Sequence, residues 1–196
     1  MPQGVFRSAT WAVISIGTLL LAGGASFMAP VSGQPAAETS PIYGVRLPHG
    51  YRDWRVISVA TVGGAQNDLR VKLGNDIAIR ALRDGRTHPF PDGAIIARLA
   101  YTRVQSDEVL GALRVGAQRL LPPDQVTRLL SESFVAGAPT NVQFMVKDSR
   151  RYAASGGWGF AQFTNGHPDG EAVQRTCFAC HTPARDSDFV FTRYAP

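Results

Sequence analysis

The chain is organised as short β-rich runs interspersed with amphipathic helical stretches. "DWRVISVATV" (53–62) and "DLRVKLG" (68–74) are dense in β-branched residues and predict two strands. Residues 75–85 predict a short helix, capped by Asn75 or Asp76 and closed by Gly85. "HPFPDG" (88–93) reads as a turn, and residues 94–104 as a third strand. Over residues 106–121, Val109, Leu113 and Leu120 fall at helical spacing; Pro122 and Pro123 interrupt the pattern, and residues 124–133 restart it. Residues 140–148 alternate, with Val142, Phe144 and Val146 on one face and Gln143, Met145 and Lys147 on the other. A glycine-opened strand (156–166), a short helix (170–181) and a last strand (188–194) complete the pattern. Strands and helices do not alternate regularly and no segment repeats. The expected class is α+β, a mainly antiparallel β-sheet with flanking helices.

The N-terminus departs from this pattern. One charge, Arg7, precedes the apolar run "WAVISIGTLLLAGGASFMA" (11–29), which ends in small residues. That order of basic, apolar and small residues predicts a secretory signal over residues 1–33, with an uncleaved membrane anchor as the alternative. Residues 34–50 are rich in Pro, Gly and small residues and predict a flexible tether. The domain proper is expected over 51–196, with a helical insertion at about 105–133. The expected location is periplasmic or secreted.

Composition narrows the partners. At 44% hydrophobic and 18% charged residues, the chain can build a real core. Loss of residues 1–33 would lower the net charge from +5 to +4, since they hold Arg7 and no acid. The cations are 18 arginines and two lysines, Lys72 and Lys147, scattered without a basic run. No nucleic-acid partner is indicated.

Candidate chemistry gathers in "TCFACHTPA" (176–184), which holds both cysteines of the chain. A disulfide or dithiol redox pair suits an exported protein, but a redox site of that type belongs near the start of an alternating βαβ frame. Structural zinc needs four ligands, and His49, His88 and His167 have no spacing that pairs them with Cys177, Cys180 and His181. C-x-x-C-H is also the attachment signature of c-type haem. On a helix, Cys177 and Cys180 project from one side, where their thiols can add to two vinyl groups, and His181 can face the iron. We favour this third reading, with a haem-attachment helix near the C-terminus.

Three blocks carry a family resemblance: "NDIAIRALRDGRTHPFPDGAIIARLAY", "VQFMVKDSRRYAASGGWGFAQF", and "TCFACH" followed by "DFVFTRYAP". In this order they resemble the cytochrome P460 family over roughly residues 51–196. The resemblance implies one covalent haem c held by Cys177 and Cys180, with His181 as proximal iron ligand, and a homodimer. It implies a small nitrogen-containing ligand or substrate: nitric oxide in the related cytochromes c′-beta, or hydroxylamine in the oxidising members, which pass electrons to a soluble partner. Enzymatic members cross-link a lysine to the haem. Where many relatives carry it, this chain has Thr102, leaving Lys72 or Lys147. Glu171 is the candidate proton acceptor. Arg98 is a candidate for the haem propionates, and Phe144 and Trp158 for an apolar pocket wall. The competing expectation is a six-coordinate electron-transfer cytochrome with Met145 or a loop histidine as second axial ligand.

Overall fold

A computed structural model describes residues 39–195. The expected signal and the first residues of the expected tether lie outside them. The described chain forms one six-stranded antiparallel sheet in which every strand pairs with its neighbour in sequence. The strands are β1 (Arg55–Val62), β2 (Asp68–Gly74), β3 (Ile95–Val104), β4 (Val135–Lys147), β5 (Trp158–Thr164) and β6 (His167–Pro168). Helix α1 (Asp76–Arg83) links β2 to β3. Helices α2 (Asp107–Ala117) and α3 (Pro123–Ser131) link β3 to β4, and α4 (Glu171–His181) follows β6. The expected α+β class and the antiparallel sheet are therefore present.

Local chemistry explains the helix starts. The Asn75 carboxamide oxygen accepts from Ala78 N–H at 3.0 Å, capping α1, and from Ile95 N–H at 3.0 Å, tying the helix to β3. Ser106 caps α2 by accepting from Val109 N–H. Pro123 stands in the first turn of α3, where its missing N–H costs nothing. Helices α2 and α3 bury Leu110, Ala117, Val126 and Leu130 in a cluster of their own. The helical signal over 106–133 is thus two short helices that pack mainly on each other.

The sheet has two different faces. Leu73, Ala97, Leu99, Val142, Phe144, Ala161 and Phe163 line one, under Tyr152 and Val45. The cross-strand pairs Ile96↔Met145 and Met145↔Phe160 lie on the other, where Trp158, Phe189 and Val190 join them beneath α1 and α4. On that second face the apolar half gives way to polar residues: Lys72 pairs with Arg98, Arg98 with Gln143, and Gln143 with Gln162.

The alternation read in residues 140–148 holds, but both faces are covered. Phe144 is 1% exposed, Met145 8% and Lys147 4%. Met145 is therefore a core residue, and Lys147 is not the exposed strand-end lysine its position suggests.

Two expectations about the ends of the domain are corrected. The described part of the 34–50 tether is folded against the body. Ser40 and Val45 are buried, Ser40 N–H donates to Val45 O at 2.8 Å, and the Tyr43 ring lies 5.9 Å from Tyr152 and 5.7 Å from Phe160. Tyr43 and Val45 supply apolar surface that a Pro/Gly count overlooks. Residues 188–194 are not a strand either. Asp188 and Phe189 take left-handed backbone angles, φ 49° and 64°, and the tail then runs beside β1, where Ala195 N–H donates to Ile57 O. The polar capture of Asp188, described below, overrides the apolar alternation.

Phe144→Ala should lower the unfolding free energy by about 3–5 kcal/mol, the cost of deleting a fully buried ring. A denaturant titration reads this as a lower midpoint at unchanged slope.

Candidate functional site

Helix α4 carries the cysteine motif and rests on β5. Phe178 anchors it, its ring 6.2 Å from Phe160 and 5.5 Å from Phe189. Gln174 is fully buried and donates to Asp169 O at 2.8 Å, fixing the first turn. With the helix so held, Cys177, Cys180 and His181 fall on adjoining positions of one side. Cys177 is half-buried and Cys180 exposed, and neither is in a disulfide.

Burial, then the neighbouring Cys180, pushes the Cys177 thiol above its ordinary pKa. A dithiol redox site depends on the opposite shift, a stabilised thiolate. Among the described residues no three His, Cys, Asp or Glu side chains gather to hold a bare metal ion. The geometry thus gives no support to the redox or zinc readings.

His181 is oriented with care. Its Nδ1 lies 2.7 Å from the Phe189 carbonyl, an acceptor only, so Nδ1 carries the proton and donates. Nε2 is then the unprotonated nitrogen. The ring is flanked by Phe160 at 5.1 Å and Phe191 at 5.0 Å. Burial lowers its pKa most; the Phe189 hydrogen bond works against that and Arg98 adds to it. The imidazole is neutral at pH 7, as a metal ligand must be.

Arg98, on β3, faces the same space. Its charge is felt by both Cys177 and His181. One guanidinium nitrogen donates to the Asn141 carboxamide at 2.7 Å, while its buried Nε has no partner. Burial and the charge of Arg70 push its pKa down to about 10. Lys72, half-buried beside it, is also shifted down, by burial first and then by Arg70 and Arg98. Against these cations stands Asp68, bound to Arg70 at 2.9 Å. An orphaned guanidinium N–H in a net-positive corner beside the cysteines suits the anionic edge of a haem.

A run of amides completes this face. Gln143 donates to Gln162, and Gln162 donates to Asp169, whose charge also reaches Cys177. Sequence reasoning missed Gln143, Gln162 and Asp169, as well as the approach of Arg70. A signal was present: Gln143 and Gln162 are polar positions inside the otherwise apolar stretches 142–146 and 158–163.

The other predicted residues fall elsewhere. Phe144 lies on the opposite face of the sheet and takes no part in this site. Trp158 is on the correct face but fully buried behind the motif, its indole N–H donating to Asp188 O at 2.8 Å. Glu171 is exposed and pairs with Arg175 at 2.6 Å, one helical turn on, so it is a first-turn acid of α4. Lys147 Nζ is held by the Asp188 carboxylate at 2.8 and 2.9 Å. Met145 is buried in one core cluster with Phe160, the residue that flanks His181. His49 and His88 are exposed in loops, and His167 is in β6.

Two thiols, a neutral imidazole with its outer nitrogen free and a buried guanidinium with one unpaired N–H fit a haem-binding site on one face of an antiparallel sheet. Residues 48–192 match the family model for cytochrome P460. The chain belongs to the cytochrome P460 family and is a haem protein. No curated protein gave a significant match.

Glu171→Gln should leave haem content and the absorption spectrum unchanged and alter stability by less than about 1 kcal/mol, as expected for an exposed ion pair. Absorbance and thermal melting of the purified protein check this.

Proposed function

We propose that this is an exported protein with one covalent haem c, which binds nitric oxide or a related small nitrogen compound at an open position across the ring from His181. The observation that carries this reading is the placement of Met145. Met145 is 8% exposed and packed in the same core cluster as Phe160, so its thioether is engaged in the core and not presented as an axial ligand. The exposed His49 and His88 are no better placed.

When bound, the haem supplies an iron that takes a small nitrogen ligand and exchanges one electron. The chain's own residues do the rest. Cys177 and Cys180 tether the ring, which suits export, because covalent bonds prevent loss of the cofactor. His181 presents Nε2, its tautomer set by the Phe189 carbonyl. Arg98 offers charge to the propionates, and Phe160 and Phe191 flank the imidazole. Export to the periplasm or beyond is supported by the apolar run 11–29. Family likeness supports a homodimer.

A second reading, oxidation of hydroxylamine with transfer of electrons to a soluble acceptor, draws on Lys72. Oxidising members of the family carry a lysine bound to the haem. Lys147 is committed to Asp188, whereas Lys72 sits beside Arg98 with its pKa lowered, which makes its amine the better nucleophile.

The ferrous protein should show a five-coordinate spectrum that changes on addition of nitric oxide, and Met145→Leu should leave it unaltered. A low-spin six-coordinate spectrum that collapses in Met145→Leu would instead establish an electron-transfer cytochrome. Mass spectrometry of the haem peptide divides the two nitrogen chemistries. Two cysteinyl bonds alone support ligand binding; an added bond to the Lys72 peptide supports hydroxylamine oxidation.

A further inference from the structure

Lys147 and Asp188 form a buried ion pair, with side chains 4% and 9% exposed. Such a pair carries a desolvation cost that apolar residues of the same volume avoid, so its geometry calls for an explanation. Lys147 Nζ meets both carboxylate oxygens of Asp188, donates to Gly156 O at 3.1 Å and lies 4.9 Å over the Trp158 ring. Asp188 Oδ2 also accepts from Phe90 N–H at 2.8 Å, and Asp188 O accepts from the Trp158 indole at 2.8 Å. The side chain and carbonyl of this aspartate are therefore gripped from β4, β5 and the 88–93 turn, while its N–H donates locally to Arg185 O at 3.0 Å.

The grip falls on strained backbone. Asp188 and Phe189 are consecutive non-glycine residues in the left-handed region, a conformation that must be imposed by surroundings. The surroundings leave little slack: a Cβ at Gly156 would lie 2.1 Å from the Phe189 ring. The product of this turn is the direction of one carbonyl, that of Phe189, which accepts from His181 Nδ1 at 2.7 Å.

We propose that Lys147 and Asp188 are positioning residues for the iron ligand: their ion pair holds the 188–189 turn so that the Phe189 carbonyl fixes the tautomer, angle and basicity of His181. The inference rests on the reading of His181 as the axial ligand. It gives Lys147 a role distinct from attachment to the haem. A firm hydrogen bond from Nδ1 makes the imidazole a stronger donor to iron; a slack one weakens it.

The test is resonance Raman spectroscopy of the ferrous holoprotein, which reads the iron–histidine stretch, together with potentiometry. Asp188→Asn removes the charge but keeps the shape, and should move the stretch to lower frequency and raise the reduction potential. Trp158→Phe, which deletes the indole N–H donated to Asp188 O together with part of the buried ring, should move both in the same direction by less. Phe144→Leu, on the far face, should weaken stability and move neither. The proposal is overturned if Asp188→Asn and Trp158→Phe keep the wild-type band and potential, or if Phe144→Leu shifts them equally. Should Asp188→Asn fail to fold, Trp158→Phe decides by the same criterion. A five-coordinate high-spin wild-type protein without an iron–histidine band would overturn this proposal and the assignment of His181 together, whereas a wild-type band unmoved in the variants sinks the clamp alone.

Discussion

The hydrogen bond from His181 to the Phe189 carbonyl is the constraint around which the C-terminal third of the protein is arranged. At 2.7 Å it fixes which ring nitrogen is free. It exists because residues 188 and 189 turn back in a left-handed conformation, opposite the last turn of α4. That turn is held by a lysine from β4, an indole from β5 and a backbone N–H from the 88–93 turn. Strain at one short segment is thus borne by several rigid elements, a common arrangement where a functional group must be aimed.

The sheet serves this arrangement by being asymmetric. One face is apolar along its length and supplies cohesion through Phe144, Phe163 and their neighbours. The other is apolar only where α1, α4 and the tail cover it; beyond that it carries Lys72, Arg98, Gln143 and Gln162. Buried polar groups of this kind are costly unless they find partners, and the unpaired Nε of Arg98 marks the place where a partner belongs. The cysteines sit at the border between the two halves, where a ring with an apolar body and anionic edges has something to meet on each side.

Much of this was legible in the sequence, for physical reasons. The period-2 pattern in 140–148, the cap at Asn75 and the C-x-x-C-H spacing are local signals, and β-meander topology keeps most pairings local too. The largest failures were long-range. Nothing near Lys147 in sequence announces Asp188, 41 residues on. The run "DFVFTRY" alternates like a strand, but its first residue is captured elsewhere. Phe144 and Trp158 were grouped as pocket aromatics although two strands place them on opposite faces. Glu171 looked functional because it precedes the cysteines, yet a turn of helix gives it Arg175 and solvent.

The central claim, that the Phe189 carbonyl presets His181 for iron, is tested most directly by a long-range proton–nitrogen correlation spectrum of the histidine ring. The ferrous carbon monoxide form is diamagnetic and suits the measurement. The account predicts a proton on Nδ1 that exchanges slowly with solvent, because the carbonyl holds it, and no proton on Nε2. A rapidly exchanging Nδ1 proton, or a protonated Nε2, would contradict it.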